Sequence, residues 1–184
     1  MDDTQKYLFY SERLGFRNWL TSDIDFMAEI NADAEVMKFF PNFLSKNQTI
    51  EFIERKKKQF EENKFCYFAV EKRMNQEFIG FIGLSEQKYE AEFTPCVDIG
   101  WRLHRNAWNN GFATEGAKRC LVYAFEDLKL QKVNAIAPII NKKSVELMMK
   151  IGMIKQYDFI HPLLLENETL KNCVLFQKTN PNQN

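Results

Sequence analysis

The apolar residues of this 184-residue chain recur with a helical period in some segments and as short continuous runs in others. From Phe112 to Leu128 they recur every three or four positions, which predicts a helix of about four turns. Short apolar runs typical of strands lie at 65–71, 78–84 and 96–103. The turn-rich segment 72–76 joins the first two of these runs, so we expect an antiparallel hairpin there.

The other elements follow from the same patterns and from their start and stop residues. Expected strands lie at 7–19, 133–140, 154–160 and 172–178, and expected helices at 23–30, 34–39, 47–63 and 141–151. Pro41 ends the second of these helices and Gly152 the last. Strand, helix, strand, helix in the second half implies a parallel pair joined by a right-handed crossover. The predicted fold class is therefore α/β (α+β), with a mixed sheet and flanking helices.

Composition favours one globular domain, and we expect it to span residues 1–178, followed by a flexible tail at 179–184. A chain of this length buries most of its apolar surface without metal or disulfide staples. Apolar residues make up 45% and charged residues 27%, as is usual for a globular protein. Seventeen phenylalanines argue against disorder and predict an aromatic core. The exposed part of this aromatic content leaves both a monomer and a homodimer open.

Charge and cysteine content narrow the class of protein further. Lys plus Arg equals Asp plus Glu at 25 each, so no global field favours a nucleic acid. No basic and apolar leader opens the chain, and no run approaches the roughly 18 apolar residues of a membrane span. We therefore expect a cytoplasmic protein that acts on neither nucleic acid nor membrane. The cysteines are widely separated and form no CxxC pair, which favours buried free thiols over a metal site.

The segment 108–115 places Gly111 in a tight turn between a predicted strand and the start of a predicted helix. Unpaired backbone N–H groups and the positive end of the helix dipole converge at such a point and attract anions. A second polar helix start, Asn141 to Ser144, follows the next parallel strand at the same sheet edge, where open α/β sheets bind ligands. A phosphate-bearing ligand and a plain structural turn both fit this pattern. A nucleotide site is disfavoured, because no GxGxxG or Walker-type sequence follows a strand.

Several fragments occur in an ordered series along nearly the whole chain. They are ERLGFRNW at 12–19, DAEVM at 33–37, FIGFIGL at 78–84, DIGWRL at 98–103, WNNGFATE at 108–115, Asn141, Ser144, KIGM at 150–153 and DFIHP at 158–162. In order and spacing they resemble the GNAT superfamily of acetyl-CoA-dependent N-acetyltransferases, in particular the Rim-type branch. That branch includes ribosomal-protein N-terminal acetyltransferases and small-molecule relatives. The resemblance implies a GNAT-like acyl-CoA N-acyltransferase fold, mostly antiparallel, with a splayed parallel pair.

The resemblance also implies where acetyl-CoA binds, with no metal. The family's diphosphate loop corresponds here to Trp108, Asn109, Asn110, Gly111, Phe112, Ala113 and Thr114. A side chain at Gly111 would block a phosphate, and Asn109, where relatives commonly have glycine, tolerates left-handed backbone. Backbone groups around Trp101 and Leu103, with Asn141 and Ser144, are expected along the pantetheine arm. Pro138 lacks an N–H, which fits a separated strand as well as a simple bulge.

Catalytic roles follow from the same resemblance. Many relatives carry a tyrosine that protonates the leaving thiolate, and Met148 stands at that position here. Ser144, one turn earlier, is the candidate hydrogen-bond donor to the sulfur, although helix capping is an equal alternative. Asp98 is the candidate base or ammonium ligand, and an ion pair with a neighbouring Lys or Arg is its alternative. His161 is expected to contact the acceptor, since histidine titrates in a useful range.

Two hypotheses about function remain open at this point. The first is an enzyme that transfers the acetyl group of acetyl-CoA directly to a primary amine, either a protein N-terminus or a small molecule. The second is a non-catalytic acyl-CoA-binding or regulatory module of the same fold. The second is motivated by Met148, by Ile160 in place of the family's Asp and by Cys173 in place of its later His.

Overall fold

The computed structural model describes residues 6–181. The strands are β1 (Phe9–Tyr10), β2 (Leu14–Arg17), β3 (Tyr67–Lys72), β4 (Phe78–Gln87), β5 (Cys96–Leu103), β6 (Lys132–Pro138), β7 (Ile154–Ile160) and β8 (Asn172–Thr179). The α-helices are α1 (Asp23–Ala32), α2 (Ala34–Met37), α3 (Lys46–Asn63), α4 (Phe112–Val122) and α5 (Lys142–Lys150). A π-helical turn, Tyr123–Asp127, extends α4.

All eight strands belong to one sheet in the order β1-β2-β3-β4-β5-β6-β8-β7. Only β5 and β6 run parallel among the described strands, and α4 connects them. The predicted hairpin of β3 and β4 is confirmed, as is the mixed, mostly antiparallel sheet. This places the carboxyl ends of β5 and β6, and the helices that follow them, at one edge of the sheet.

The predicted strand 7–19 is wrong as a single element, because the chain reverses at residues 11–13 and forms β1 and β2. Glu115, far away in sequence, holds this turn. Its carboxylate accepts hydrogen bonds from the Ser11 hydroxyl (2.7 Å) and the Arg13 backbone N–H (2.8 Å). The Arg13 side chain adds an ion pair at 2.6 Å. A contact at this sequence distance leaves no trace in local patterning.

Helices cover both faces of the sheet over two separate hydrophobic clusters. The larger cluster packs α4 and α5 against one face and includes Phe16, Phe68, Ile82 and Met148. The smaller one packs α1 and α3 against the other face around Trp19. The expected aromatic core is therefore present on both faces.

A buried ion-pair network holds α1 on the sheet. Arg17 of β2 binds the Asp23 carboxylate through two hydrogen bonds of 2.7 Å each, and Glu71 of β3 at 2.6 Å. Asp23 also accepts the Leu20 backbone N–H at 2.8 Å and so begins the helix. Ser22, at the N-cap position of this helix, makes no side-chain cap bond. Charges this deeply buried persist because each is paired.

All four cysteines are buried free thiols, as predicted. Burial raises the pKa of the Cys66 thiol to about 12 and that of Cys173 to about 11. No group of His, Cys, Asp and Glu within residues 6–181 could hold a metal ion. Over the same residues, no helix combines the length and hydropathy that a bilayer crossing requires.

The last strand ends one residue beyond the predicted strand and domain boundary at 178. Thr179 belongs to β8, and the buried Asn180 side chain donates hydrogen bonds to the carbonyl groups of Phe125 (3.2 Å) and Leu130 (3.0 Å). The flexible tail at 179–184 stays a prediction, and its residues 182–184 lie outside the described residues. The single-domain boundary stays a prediction.

Candidate active site

Strands β5 and β6 separate after one paired position, Asp98 opposite Asn134. The other edge of β6 is fully occupied, since every residue from Lys132 to Pro138 pairs with β8. Beyond Asp98 the two strands diverge and leave a cavity of about 260 Å³ between them. Pro138, which lacks a backbone N–H, lines this gap. The separation expected from the sequence is therefore present.

Asp98 lies at the inner end of the cavity and is 8% exposed. The Tyr67 hydroxyl donates a hydrogen bond to its carboxylate at 2.9 Å. A row of glycines makes this contact possible: Tyr67 pairs with Gly83, and Gly83 pairs with Gly100. A Cβ on Gly100 would lie 3.0 Å from the Tyr67 hydroxyl oxygen. The tyrosine ring therefore occupies space that a side chain at position 100 would fill.

The environment of Asp98 shifts the pKa of its carboxyl group. Burial raises the pKa of its carboxyl group to about 6, while hydrogen bonds from Gln87 and Tyr67 and the charge of Lys56 act in the opposite direction. Lys56 does not pair with it, because its ammonium group donates to Ser85 (2.8 Å) and Gln59 (3.1 Å). No ion pair joins Asp98 to another described residue, so the alternative of a simple Lys or Arg pair is wrong. A carboxyl group titrating near neutrality can act as a general base.

The start of α5 forms another part of the cavity wall. Asn141 begins the helix, its side-chain oxygen accepting the Ser144 backbone N–H at 3.3 Å, as expected of a cap. Asn141, Ser144 and Met148 all line the cavity. Ser144 is half-buried and lies four positions, about one helical turn, before Met148. Met148 is buried and carries no proton to donate.

An aromatic group closes the side of the cavity near β7. His161 lines it, and its ring lies 4.7 Å from the Tyr89 ring, centroid to centroid. The His161 Nδ1 atom accepts the Leu163 backbone N–H at 3.2 Å, which fixes the ring, and burial lowers its pKa. The Tyr89 hydroxyl is buried and has no hydrogen-bond partner among the described residues.

Arg102 enters the same cavity from β5, two positions after Gly100. It is 9% exposed, and its Nη1 atom donates to the Asn31 side-chain oxygen at 2.6 Å. Its guanidinium lies 3.9 Å from the centre of the Phe40 ring. Burial lowers the pKa of Arg102 to about 10, so it still carries its charge at neutral pH. Asp98 and Arg102 thus share one face of β5 and one cavity.

The loop before α4 has the geometry that anion binding requires. Gly111 precedes the helix with φ of 78°, and Asn109 also adopts left-handed backbone with φ of 60°, as expected of asparagine. The loop from Asn109 to Gly111 is exposed. Trp108 anchors the loop to β5, because its indole N–H donates a hydrogen bond to the Leu103 carbonyl at 2.9 Å. Trp108 packs against both hydrophobic clusters, in keeping with a structural role.

The loop and the cavity together fit a coenzyme with a diphosphate and a thioester end. Gly111 presents open space, since an added Cβ would meet only the Arg13 guanidinium, at 3.5 Å. Phe112, Ala113 and Thr114 form the first turn of α4, where backbone N–H groups lack partners within the helix. Trp101 lines the cavity, whereas the Leu103 side chain is buried in the larger cluster and leaves only its backbone for a ligand.

Sequence reasoning missed Tyr67, Tyr89 and Arg102 at this site. Arg102 was within reach, since positions 98, 100 and 102 alternate onto one face of a strand. Tyr67 was not, because its approach to Asp98 depends on the register of three strands. The unpartnered Tyr89 hydroxyl follows a strand end and carries no motif.

Comparison with known proteins agrees with this geometry. The family model described as an acetyltransferase (GNAT) domain matches residues 13–154. The N-acetyltransferase YnaD of Bacillus subtilis strain 168 is 30% identical over 146 residues, covering 79% of this chain and 82% of the relative.

Solved structures show the same fold. An acetyltransferase of the GNAT family from Bacillus anthracis superposes with a TM-score of 0.77 at 26% identity, covering 93% of this chain and 97% of that one. The ribosomal-protein-S5-alanine acetyltransferase of Vibrio fischeri gives 0.76 at 18% identity, covering 96% and 98%. The spermidine N-acetyltransferase of Vibrio cholerae, in complex with CoA and spermine, gives 0.74 at 19% identity, covering 91% and 96%. With the family model covering most of its length, this chain belongs to the GNAT family of N-acetyltransferases.

Proposed function

We propose that the protein transfers an acetyl group from acetyl-CoA directly to a primary amine, acting in the cytoplasm as a monomer or homodimer. The acceptor is a protein N-terminus or a small-molecule amine. The observation that carries this proposal is the cavity between β5 and β6, which Asp98 and Ser144 both line. A group that takes a proton and a group that donates a hydrogen bond thus share the gap where the strands diverge.

The chain's own residues supply the binding surfaces for acetyl-CoA. The diphosphate would lie against residues 108–114, where Gly111 leaves the backbone accessible. The pantetheine arm would follow Trp101 and Leu103 of β5 and the start of α5 at Asn141. When bound, acetyl-CoA supplies an activated acyl group as a thioester. Backbone N–H groups of the unpaired part of β5 would polarise its carbonyl group.

Asp98 and Ser144 handle the protons of the transfer. An amine attacks only after it loses a proton, and Asp98, largely ionised at neutral pH, accepts that proton. As the new N–C bond forms and the C–S bond breaks, Ser144 donates a hydrogen bond to the departing sulfur. The nitrogen releases its second proton to solvent as the amide forms, the sulfur takes the bonding electrons and a proton from solvent, and Asp98 returns the first proton to water. No cysteine of the described residues lines the cavity, which supports transfer without a covalent enzyme intermediate.

We further infer that the chain lies in the Rim-type branch, supported by the fragments at 98–103 and 108–115 and by the likeness to the Vibrio fischeri structure. A non-catalytic acyl-CoA-binding module is the second candidate. It is favoured by Met148, which lines the cavity without a proton to donate.

Thermal melting with acetyl-CoA, CoA and ATP tests the binding part of this proposal. A ligand at about 100 times its Kd adds about 2.7 kcal/mol, which raises the Tm of a domain of this size by about 5–10 °C. Stabilisation by ATP but not by CoA would refute both candidates. Release of free CoA with a panel of amines and peptide N-termini then separates them: binding without release supports the non-catalytic module.

Ser144→Ala tests the assigned donor. We expect kcat to fall about tenfold or more, with little change in the KM for acetyl-CoA, because the hydroxyl acts on the departing sulfur. Ser22→Ala is the matched control, since Ser22 is exposed and makes no side-chain cap bond. Equal kcat in Ser144→Ala and Ser22→Ala would refute the assignment.

A further inference from the structure

Arg102 is a buried cation without a counter-ion. None of the described carboxylates is in ion-pairing contact with it, and its Nε atom is buried without a hydrogen-bond partner. The Asn31 side chain, which accepts a hydrogen bond from the Arg102 Nη1 atom, is neutral. Asn31 in turn donates to Thr49 at 2.9 Å, so its oxygen is held toward the guanidinium. The arginine is therefore fixed in place but not neutralised.

Such an arrangement is costly unless a ligand completes it. Removing a charge from water costs several kcal/mol, and buried charges in proteins are normally paired. The other buried arginine of this face, Arg17, follows that rule with Asp23 and Glu71. The rings of Phe40 and Phe81 lie at 3.9 and 5.4 Å from the Arg102 guanidinium and offset part of the cost. They leave the Nε edge without an acceptor.

Arg102 lines the same cavity as Asp98, the proposed proton acceptor of the reaction. Asp98 and Arg102 lie four positions apart on one strand, about 13 Å from Cα to Cα, and both line the same space. The cavity volume of about 260 Å³ lies below the range of about 300–1,000 Å³ typical of drug-sized ligands, which favours a small acceptor. An arginine guanidinium binds carboxylates through parallel hydrogen bonds, as Arg17 does here.

We propose that the acceptor is a small amine that also carries a carboxylate, with its amine at Asp98 and its carboxylate at Arg102. This inference rests on the proposed acetyl transfer and narrows its acceptor to the amino-acid class. Polyamines, which carry only positive charge, are disfavoured by Arg102. A peptide N-terminus without a carboxylate within reach of Arg102 is disfavoured for the same reason.

The test compares acceptors that differ only in this charge. Release of CoA from acetyl-CoA is measured with the protein L-amino acids, a series of ω-amino acids, and the carboxamide and decarboxylated counterpart of each. We expect kcat/KM for the preferred acid to exceed that for its carboxamide about 100-fold or more, because a site built to pair a group rejects analogues that lack it. The chain length of the preferred ω-amino acid reports the distance between the amine position at Asp98 and the carboxylate position at Arg102.

Variants assign the preference to Arg102. In Arg102→Gln we expect the ratio of acid to carboxamide to fall to within about threefold, while the Tm rise with acetyl-CoA is retained. Arg102→Lys should keep part of the ratio, because it keeps the charge. Arg105→Gln is the control, since Arg105 is exposed beyond the end of β5 and pairs with Asp33 at 2.7 Å. If Arg102 had a purely structural role, Arg102→Gln would lower kcat/KM for the acid and for its carboxamide by the same factor, and the ratio of the two would not change.

Two results would overturn the inference: equal kcat/KM for acids and carboxamides, or polyamines as the preferred acceptors. Absence of CoA release with every amine would instead count against the proposed transfer. Carboxylate selection is then measured on the CoA-loaded protein, by melting with N-acetyl amino acids and their carboxamides. Stabilisation by the acids alone, lost in Arg102→Gln, supports the site without turnover, and equal stabilisation refutes it.

Discussion

Replacing Asp98 with asparagine should stabilise the protein at neutral pH while it abolishes most activity. The unfolded chain releases this carboxyl proton near the ordinary pKa of 3.8, whereas in the fold the pKa is about 6. Between these values the native state holds a proton that the unfolded state has lost, so the free energy of unfolding falls as pH rises. Above pH 6 the penalty is complete.

The magnitude follows from the two pKa values. A separation of about 2 units, at about 1.36 kcal/mol per unit, makes ionised Asp98 cost about 3 kcal/mol at pH 7. Asp98→Asn keeps the shape and the oxygen that accepts the Tyr67 hydroxyl, but it never ionises. We therefore expect its Tm at pH 7 to exceed that of the parent protein by about 6–12 °C. At pH 5 the gain in free energy should be about half as large.

Melting curves at pH 5 and pH 7 measure this difference, with Asp127→Asn as the exposed control, expected to change stability by less than about 0.5 kcal/mol. The kcat/KM of the parent protein should rise with pH through about 6 and then level off. The kcat/KM of Asp98→Asn should be lower than that of the parent by a factor of about 100 or more. A variant no more stable than its parent at pH 7, or a gain that is the same at both pH values, would refute the assignment of a desolvated base.

Three further substitutions probe other parts of the site and fold. Gly111→Ala, at φ of 78°, should cost about 1 kcal/mol and raise the KM for acetyl-CoA about tenfold, whereas Gly152→Ala, at φ of 76° but outside the loop, should cost stability alone. Gly100→Ala should lower kcat/KM for the acceptor about tenfold or more, because its Cβ would press on Tyr67; an unchanged value would contradict the observed packing. Arg17→Met should reduce the free energy of unfolding by about 3–5 kcal/mol in urea titrations, because it leaves the buried Asp23 carboxylate without a cation while Glu71 keeps Lys6, and a loss below about 1 kcal/mol would show that Asp23 is solvated.

Local patterns predicted the parts of this fold that local chemistry determines. Strand β5 and the edge strand β7 were predicted to the residue, and α4 began at Phe112 as expected. The loop at Asn109 and Gly111 was predicted because those residue types tolerate left-handed backbone. The gap between strands was implied by the family resemblance, and Pro138, which cannot donate to a ladder, fitted a gap and a simple bulge equally well.

Features that depend on distant contacts were beyond such reasoning. The turn between β1 and β2 exists because Glu115, about a hundred positions later, binds its backbone. Tyr67 reaches Asp98 across Gly100, which lies two strands away and leaves room for the tyrosine ring. The lack of a carboxylate beside Arg102 depends on which residues the fold brings around it, and local sequence patterns do not contain that information.

Because its four cysteines are buried, the folded protein should contribute little signal to a thiol assay of released CoA. Aromatic disulfide reagents attack thiolates, and burial both shields these sulfurs and disfavours their ionised form. The colour developed during turnover would then come from released coenzyme alone. A slow rise in colour without any amine present would instead report unfolded molecules whose cysteines have become exposed. The same assay therefore follows both the acetyl transfer and the unfolding of the protein.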